Sequence, residues 1–216
     1  MITTNLKKRL YTSLALLFAV FLIFNLNLIL VFCLIILGVT SILEFLQITK
    51  KIFNSYFKLI PINSIFIIYI FVFCFMFFLF SNIIGLKTIL FILLIGCIAS
   101  DLGGFIFGKT IKGPKLTKIS PNKTYSGAIG SIILTIFVMS ILFYYSSGSF
   151  NLKTILIAIS TSVSCQFGDL LFSFLKRKAK LKDTGNFFPG HGGVLDRLDG
   201  IIIGIPIAFC ILIILN

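Results

Sequence analysis

Residues 65–80, IFIIYIFVFCFMFFLF, contain no charged side chain and decide the class of fold. Hydrophobic residues make up 58% of the chain and its mean hydropathy is +1.14, so this stretch is typical of the whole sequence. A hydrocarbon core of about 30 Å is crossed by about twenty apolar residues in a helix. The sequence therefore predicts an all-α, polytopic integral membrane protein, a helical bundle, and argues against a soluble fold.

The apolar segments predict about seven transmembrane helices. Segment 10–46 would measure roughly 55 Å as one helix, which exceeds the hydrocarbon core, so we expect a break at Asn25-Leu26-Asn27. The other predicted spans are 62–80, 89–107, 128–145, 152–174 and 194–215. Three helices thus fall in an N-terminal domain, residues 1–90. Residues 91–216 form a second membrane domain that carries the polar site.

The basic residues indicate the orientation of these spans. Sixteen of the nineteen Lys and Arg fall in segments that are cytoplasmic if the N-terminus is inside, and only Lys87 and Lys153 fall in outer loops. This distribution predicts a multi-pass protein of the cytoplasmic (inner) membrane whose polar site faces the cytoplasm. It also accounts for the net charge of +13 without a nucleic acid partner. Lys7, Lys8 and Arg9 are interpreted as part of an uncleaved signal anchor.

The acidic residues are concentrated in two short polar stretches. Five of the six lie there: Asp101, Asp169, Asp183, Asp196 and Asp199. A carboxylate at bilayer depth costs several kcal/mol unless it is paired, hydrated or bound to a metal, so each is a functional-site hypothesis. The sixth, Glu44, has no partner nearby in sequence and is assigned to the membrane interface without a role.

Helical spacing brings several of these side chains onto common faces. Four residues at i, i+4, i+7 and i+8 share one face: Asp169, Ser173, Lys176 and Arg177. Asp196 and Asp199 share a face in the first turns of the last span, which needs residues 194–200 to reach full length. Asp101, Asp169, Asp196 and Asp199 are therefore predicted to surround Mg²⁺, with Lys and Arg binding phosphate nearby. The alternative, that a buried aspartate is only the structural partner of a lysine, stays open.

The segment Pro189-Gly190-His191-Gly192-Gly193 leads directly into the last span. Three glycines around one histidine let backbone N–H groups approach a ligand closely, as in anion-binding turns. A plain tight turn is the alternative interpretation.

These polar positions also resemble a known family. The order and spacing of the following residues match the C-terminal signature of the phosphatidate cytidylyltransferase family: Ser173, Lys176-Arg177, Lys182-Asp183, Gly185, Pro189, His191-Gly192-Gly193, Asp196-Arg197 and Asp199. A looser match extends upstream through Gly168-Asp169, residues 120–124 and Asp101, covering about half the chain. Ser126 stands where this family commonly has glutamate.

The resemblance implies an enzyme that converts phosphatidic acid and CTP to CDP-diacylglycerol and pyrophosphate at the lipid bilayer. Its cofactor would be Mg²⁺, with a second cation and a homodimer left open. The implied metal ligands are Asp169, Asp196, Asp199 and Asp101. The implied phosphate contacts are Lys123, Lys176, Arg177, Lys182 and Arg197. The implied catalytic set comprises Asp169, Ser173, Lys176, Arg177, Lys182, Asp183, His191, Asp196, Arg197 and Asp199.

We expect His191 to donate an orienting hydrogen bond rather than to act as a general base. A phosphate monoester with a second pKa of about 6 is largely dianionic at neutral pH and already nucleophilic. One alternative function is a CTP-dependent kinase of a polyprenol or phytol, which would need a true base. Another is a membrane transporter that uses buried carboxylates as a relay.

Overall fold

The computed structural model describes residues 20–117, 119–148, 150–185, 187 and 192–215. Within these residues six helices are long and apolar enough to cross a membrane. They are α1 (Asn27–Ile52), α2 (Tyr56–Ser81), α3 (Ile84–Thr110), α4 (Tyr125–Ser147), α5 (Leu152–Lys178) and α6 (Leu195–Leu215). The predicted all-α, polytopic membrane fold is confirmed.

The helix that precedes α1 breaks at Leu26. Residues 20–25 are helical, and Leu26 has extended backbone angles, φ −122° and ψ 102°, before α1 begins at Asn27. The Asn25 side chain donates to the Phe21 carbonyl oxygen (2.8 Å), a local bond of the kind that competes with regular helix pairing. The predicted break is therefore confirmed. Most of the predicted first span, including Lys7 to Arg9, lies outside the described residues, so the seventh span stays a prediction.

Helices α4 and α5 extend beyond the predicted apolar segments into polar sequence. The hydroxyl of Thr124 accepts a hydrogen bond from the Gly127 N–H (3.1 Å), so α4 begins at Tyr125, three residues earlier than predicted. Helix α5 continues through three basic residues to Lys178, where cations favour the helix C-terminus. It ends before Lys180, whose φ of 56° lies in the left-handed region.

The chain divides into two compact units. The first comprises Met1–Asn82 and Leu175–Leu198, and the second comprises Ile83–Phe174 and Asp199–Asn216. In the first unit α1 packs on α2 through stacked rings of Phe45 and Phe66, whose centroids are 3.7 Å apart. The proposed division into domains 1–90 and 91–216 concerns function and stays a prediction.

In the second unit α3 and α4 approach each other backbone to backbone. A Cβ atom on Gly103 would lie only 2.7 Å from the Gly130 carbonyl oxygen, so small residues are required at this contact. The Ser131 hydroxyl donates to the Ser100 carbonyl oxygen (2.7 Å), and the hydroxyls of Ser100 and Ser162 are 3.0 Å apart. These bonds connect α3, α4 and α5 next to Asp101.

Candidate functional site

The predicted site residues lie on α3, α5 and α6 and in the segments next to them. Helix α6 begins at Leu195, so the predicted use of residues 194–200 as its first turns is confirmed. Asp196 and Asp199 therefore lie in its first two turns. Four other predicted residues lie in the second half of α5: Asp169, Ser173, Lys176 and Arg177.

In the first unit the Asp196 carboxylate is held from several sides. Its Oδ1 accepts from Lys176 Nζ at 2.6 Å, an ion pair in which the aspartate and lysine side chains are only 6% and 13% exposed, respectively. Its Oδ2 accepts from the N–H groups of Thr184 (2.8 Å) and Gly193 (3.0 Å). The Thr184 hydroxyl lies 3.0 Å from the same oxygen. Asp196 is thus fixed in position by the end of α5 and by the segment before α6.

Glu44 is buried in the first unit and has hydrogen-bond partners that are far away in the sequence. Its position at the membrane interface stays a prediction. Its carboxylate accepts from the N–H groups of Val194 (2.9 Å) and Leu195 (2.8 Å) and from the Thr184 hydroxyl (2.5 Å). The N–H groups at a helix start have no partner within the helix, so Glu44 satisfies two donors at the start of α6. Its hydrogen-bond partners are at least 140 residues away along the chain, and local sequence inspection could not identify them.

Two glycines of the predicted signature pack against this internal carboxylate. A Cβ atom on Gly193 would lie 2.6 Å from Glu44 Oε1 and closer still to Glu44 Oε2 and Thr184 Oγ1. A Cβ atom on Gly185 would lie 2.7 Å from Oε1. The absence of side chains on these two glycines therefore leaves room for the Glu44 carboxylate. His191 and the two residues before it lie outside the described residues, so the role of His191 stays a prediction.

In the second unit Asp169 and Asp199 lie where α5 and α6 touch. A Cβ atom on Gly168 would lie 2.5 Å from the Asp199 carbonyl oxygen, and one on Gly200 would lie 2.9 Å from Asp169 Oδ1. Asp169 Oδ2 also accepts from Lys123 Nζ at 3.1 Å. The contact between the two helices therefore brings the Asp199 backbone next to Gly168, and the Asp169 carboxylate, which is paired with Lys123, next to Gly200.

Asp101 lies against the same helix. The buried Cys165 thiol, one turn before Asp169 on α5, is 3.8 Å from Asp101 Oδ1 and donates to it. The Asp101 side chain is exposed. Three of the four carboxylates predicted to bind metal thus border α5 or lie on it within the second unit.

The donor chemistry of these residues fits Mg²⁺ bound together with a nucleotide. Mg²⁺ is usually held by one or two carboxylates, with substrate phosphates and water supplying the remaining ligands. Asp169 and Asp199 provide such carboxylates. Across the described ranges, no three His, Cys, Asp or Glu side chains form a group that could hold a metal by themselves. Asp196 belongs to the first unit, so convergence of all four acidic residues stays a prediction.

The remaining predicted residues are more exposed. Arg177, Lys182, Asp183 and Arg197 have exposed side chains, and Ser173 is half-buried. Arg177 donates to the Leu181 carbonyl oxygen (3.4 Å). Guanidinium and ammonium groups are the side chains that bind phosphate and carboxylate most strongly, so the phosphate-binding roles of Arg177, Lys182 and Arg197 stay predictions.

Ser126, which replaces the glutamate common in the resembling family, ties a loop to α4. Its hydroxyl donates to the Lys112 carbonyl oxygen and lies 3.0 Å from the Thr124 hydroxyl. The residue therefore has a local structural partner.

Comparisons with known proteins agree with the signature. The family model described as "Cytidylyltransferase family" matches residues 5–215. A phosphatidate cytidylyltransferase of Rickettsia bellii is 44% identical over 119 residues, which cover 51% of this chain and 52% of the relative. A phosphatidate cytidylyltransferase of Helicobacter pylori is 42% identical over 113 residues, which cover 52% of this chain and 42% of the relative. A phosphatidate cytidylyltransferase of Staphylococcus haemolyticus is 37% identical over 141 residues, which cover 64% of this chain and 54% of the relative.

The chain spans about half the length of the curated relatives it matches. The family model, by contrast, covers nearly all of its residues. The chain therefore belongs to the cytidylyltransferase family.

Proposed function

We propose that the protein is a CTP:phosphatidate cytidylyltransferase, which converts phosphatidic acid and CTP to CDP-diacylglycerol and pyrophosphate in phospholipid biosynthesis. The names of its relatives support this substrate pair. The observation that carries the proposal is a pair of carboxylate–lysine contacts in a chain of the cytidylyltransferase family. Asp169 pairs with Lys123 and Asp196 pairs with Lys176.

The reaction brings two anions together, so the main task of the protein is to supply positive charge and to align the reactants. The phosphate of phosphatidic acid attacks the α-phosphorus of CTP, and pyrophosphate leaves with the electrons of the broken P–O bond. A lysine ammonium has three N–H donors, so Lys123 and Lys176 can donate to a phosphate oxygen while they remain paired. Arg177, Lys182 and Arg197 would add three further exposed cations.

Asp169 and Asp199 would hold Mg²⁺, with Asp196 and Asp101 completing the acidic set. When bound, this ion polarises the α-phosphoryl group and stabilises the leaving pyrophosphate. Ser173 donates a hydrogen bond to substrate. His191 orients the substrate or its loop, because a dianionic phosphate monoester needs no base to become a nucleophile.

The location of the site suits one lipid substrate and one soluble substrate. Phosphatidic acid enters sideways from the membrane, and CTP enters from the cytoplasm. The excess of Lys and Arg in the segments assigned to the cytoplasm supports this orientation in the cytoplasmic membrane.

The test is to incubate the purified protein with phosphatidic acid, Mg²⁺ and each nucleoside triphosphate in turn. Pyrophosphate and a cytidine-linked lipid formed with CTP are the expected products. Nucleoside diphosphate together with a phosphorylated polyprenol or phytol, when the alcohol is supplied instead, would identify a kinase and overturn the proposal. Failure of every nucleotide to turn over would overturn it as well and favour transport.

A further inference from the structure

Glu44 is a buried carboxylate that the proposed reaction does not use. Glu44 lies on α1 and is 7% exposed. The hydrogen bonds of its carboxylate described above all go to the segment that leads into α6 and to the first residue of that helix. We propose that Glu44 is a positioning residue, which holds the start of α6 and, through Thr184, sets the orientation of the Asp196 carboxylate. This inference rests on the proposed function and deepens it.

The first step is the fixation of α6. The Glu44 oxygens accept from two consecutive backbone N–H groups, those of Val194 and Leu195, at 2.9 and 2.8 Å. A carboxylate at a helix N-terminus is favoured by the helix dipole, and charge-assisted bonds of this kind are short and strong. Glu44 therefore fixes the depth and rotation of the turn that carries Asp196.

The second step is the link between the two carboxylates. Thr184 Oγ1 lies 2.5 Å from Glu44 Oε2 and 3.0 Å from Asp196 Oδ2. Four backbone N–H groups are divided between the same two acids. Those of Thr184 and Gly193 donate to Asp196, and those of Val194 and Leu195 donate to Glu44. A shift of Glu44 must therefore move the groups that orient Asp196.

A requirement for helix capping alone does not explain this arrangement. A serine, threonine or asparagine at the helix start caps a helix without burying a charge. A carboxylate on a membrane helix costs several kcal/mol unless it is paired, and such residues mark functional sites. Here the carboxylate comes from a different helix, and Gly185 and Gly193 leave it room. The geometry thus couples α1 to the orientation of one proposed metal ligand.

The first experiment compares Glu44→Gln with Thr49→Val. The glutamine amide would offer one acceptor oxygen, so one of the N–H groups of Val194 and Leu195 would face an NH₂ group instead. Loss of an outer partner of a metal ligand typically lowers metal affinity or activity about 10–100-fold, and we expect kcat to fall within that range. Thr49 is a control on the same helix, because its buried hydroxyl contacts carbonyl oxygens of α1 and the Asn63 side chain of α2 instead of the start of α6. Its variant should keep activity within about twofold, as expected for a change in no contact with the site.

The second experiment separates positioning from simple stabilisation. Thr184→Val removes the hydroxyl between the two acids and keeps the two N–H bonds to Glu44, whereas Thr184→Ser retains the hydroxyl. We expect the valine variant to need about tenfold more Mg²⁺ for half-maximal rate. The serine variant should restore the wild-type Mg²⁺ requirement. A role in stability alone would lower the amount of folded protein without changing this requirement.

Backbone amide hydrogen exchange in detergent provides a readout that does not depend on activity. Glu44→Gln should accelerate exchange in residues 192–200 relative to wild type and to Thr49→Val. Unchanged exchange there, or unchanged kcat per folded molecule, would overturn the inference. Equal Mg²⁺ requirements for Thr184→Val and Thr184→Ser would overturn the route through Thr184. If the wild type transfers no cytidylyl group, the proposed function fails, and the exchange experiment still decides whether Glu44 holds the start of α6.

Discussion

Replacing Gly193 with alanine places a methyl group against the Glu44 carboxylate. The new carbon would lie 2.6 Å from Glu44 Oε1 and even closer to Glu44 Oε2 and Thr184 Oγ1. Ordinary contact between these atoms begins at 3.4 Å, so the carboxylate must retreat by about 0.8 Å or more. Glu44 is buried and Gly185 packs against it, so it can retreat only by lengthening its own hydrogen bonds.

The cost follows from those bonds. A retreat of this size takes the bonds to Val194 and Leu195 from 2.9 and 2.8 Å to beyond the usual hydrogen-bonding range. A hydrogen bond to a charged group contributes about 1.5–3 kcal/mol, so losing two costs about 3 kcal/mol or more. This is a large part of the roughly 5–15 kcal/mol that stabilises a typical domain. We therefore expect a lower thermal midpoint. Because the displaced Glu44 would no longer hold the groups that orient Asp196, we also expect turnover to fall about 10–100-fold, as for loss of an outer partner of a metal ligand.

The matched control is Gly85→Ala. A Cβ atom there would meet no atom within 4 Å, and Gly85 lies in the first turn of α3. Alanine is favoured over glycine in helices by up to about 1 kcal/mol, so this variant should be neutral or slightly more stable. Thermal unfolding in detergent and the rate of CTP-dependent lipid product formation should be measured for both variants. Equal midpoints and equal rates would refute the argument that Gly193 makes room for Glu44.

Three further outcomes are expected. Asp169→Asn should reduce CTP-dependent product formation by about 100-fold or more without preventing membrane insertion, because it removes a carboxylate that we propose to bind the cation. Wild-type turnover in this variant would exclude its metal role. Lys123→Gln should raise KM for CTP roughly tenfold, as expected for loss of one charged contact, whereas Lys153→Gln, an exposed lysine at the other end of α5, should match wild type in steady-state kinetics. Removal of divalent cations with EDTA should stop turnover and added Mg²⁺ should restore it, and turnover that continues in EDTA would contradict the metal assignment.

The membrane fold could be predicted because its determinants are local. Span length follows from hydrocarbon thickness, and the break at Leu26 follows from polar residues inside an overlong apolar segment. The start of α6 was predicted from the shortness of the apolar run after Asp199. Helix ends were missed by a few residues, as at Tyr125, because a cap depends on one side-chain bond rather than on hydrophobicity.

The candidate site could be predicted only in part. Spacing on α5 predicted a common face for Asp169 and Lys176, but it could not reveal that each has an ionic partner on another segment. Glu44 was left without a role because its bonds join distant parts of the chain. A physical signal was nevertheless present, since an acidic residue within an apolar helix is expensive and calls for a partner.

The long separation between Glu44 and its partners affects how the protein is made. The ribosome adds Thr184, Val194 and Leu195 between 140 and 151 residues after Glu44. At about 5–20 residues per second, α1 is synthesised roughly 7–30 s before those groups exist. During that interval its acidic side chain must be accommodated by water, a lipid headgroup or the insertion machinery. A nascent chain that stops before residue 184 therefore lacks all three of the groups that donate to this acid in the folded protein.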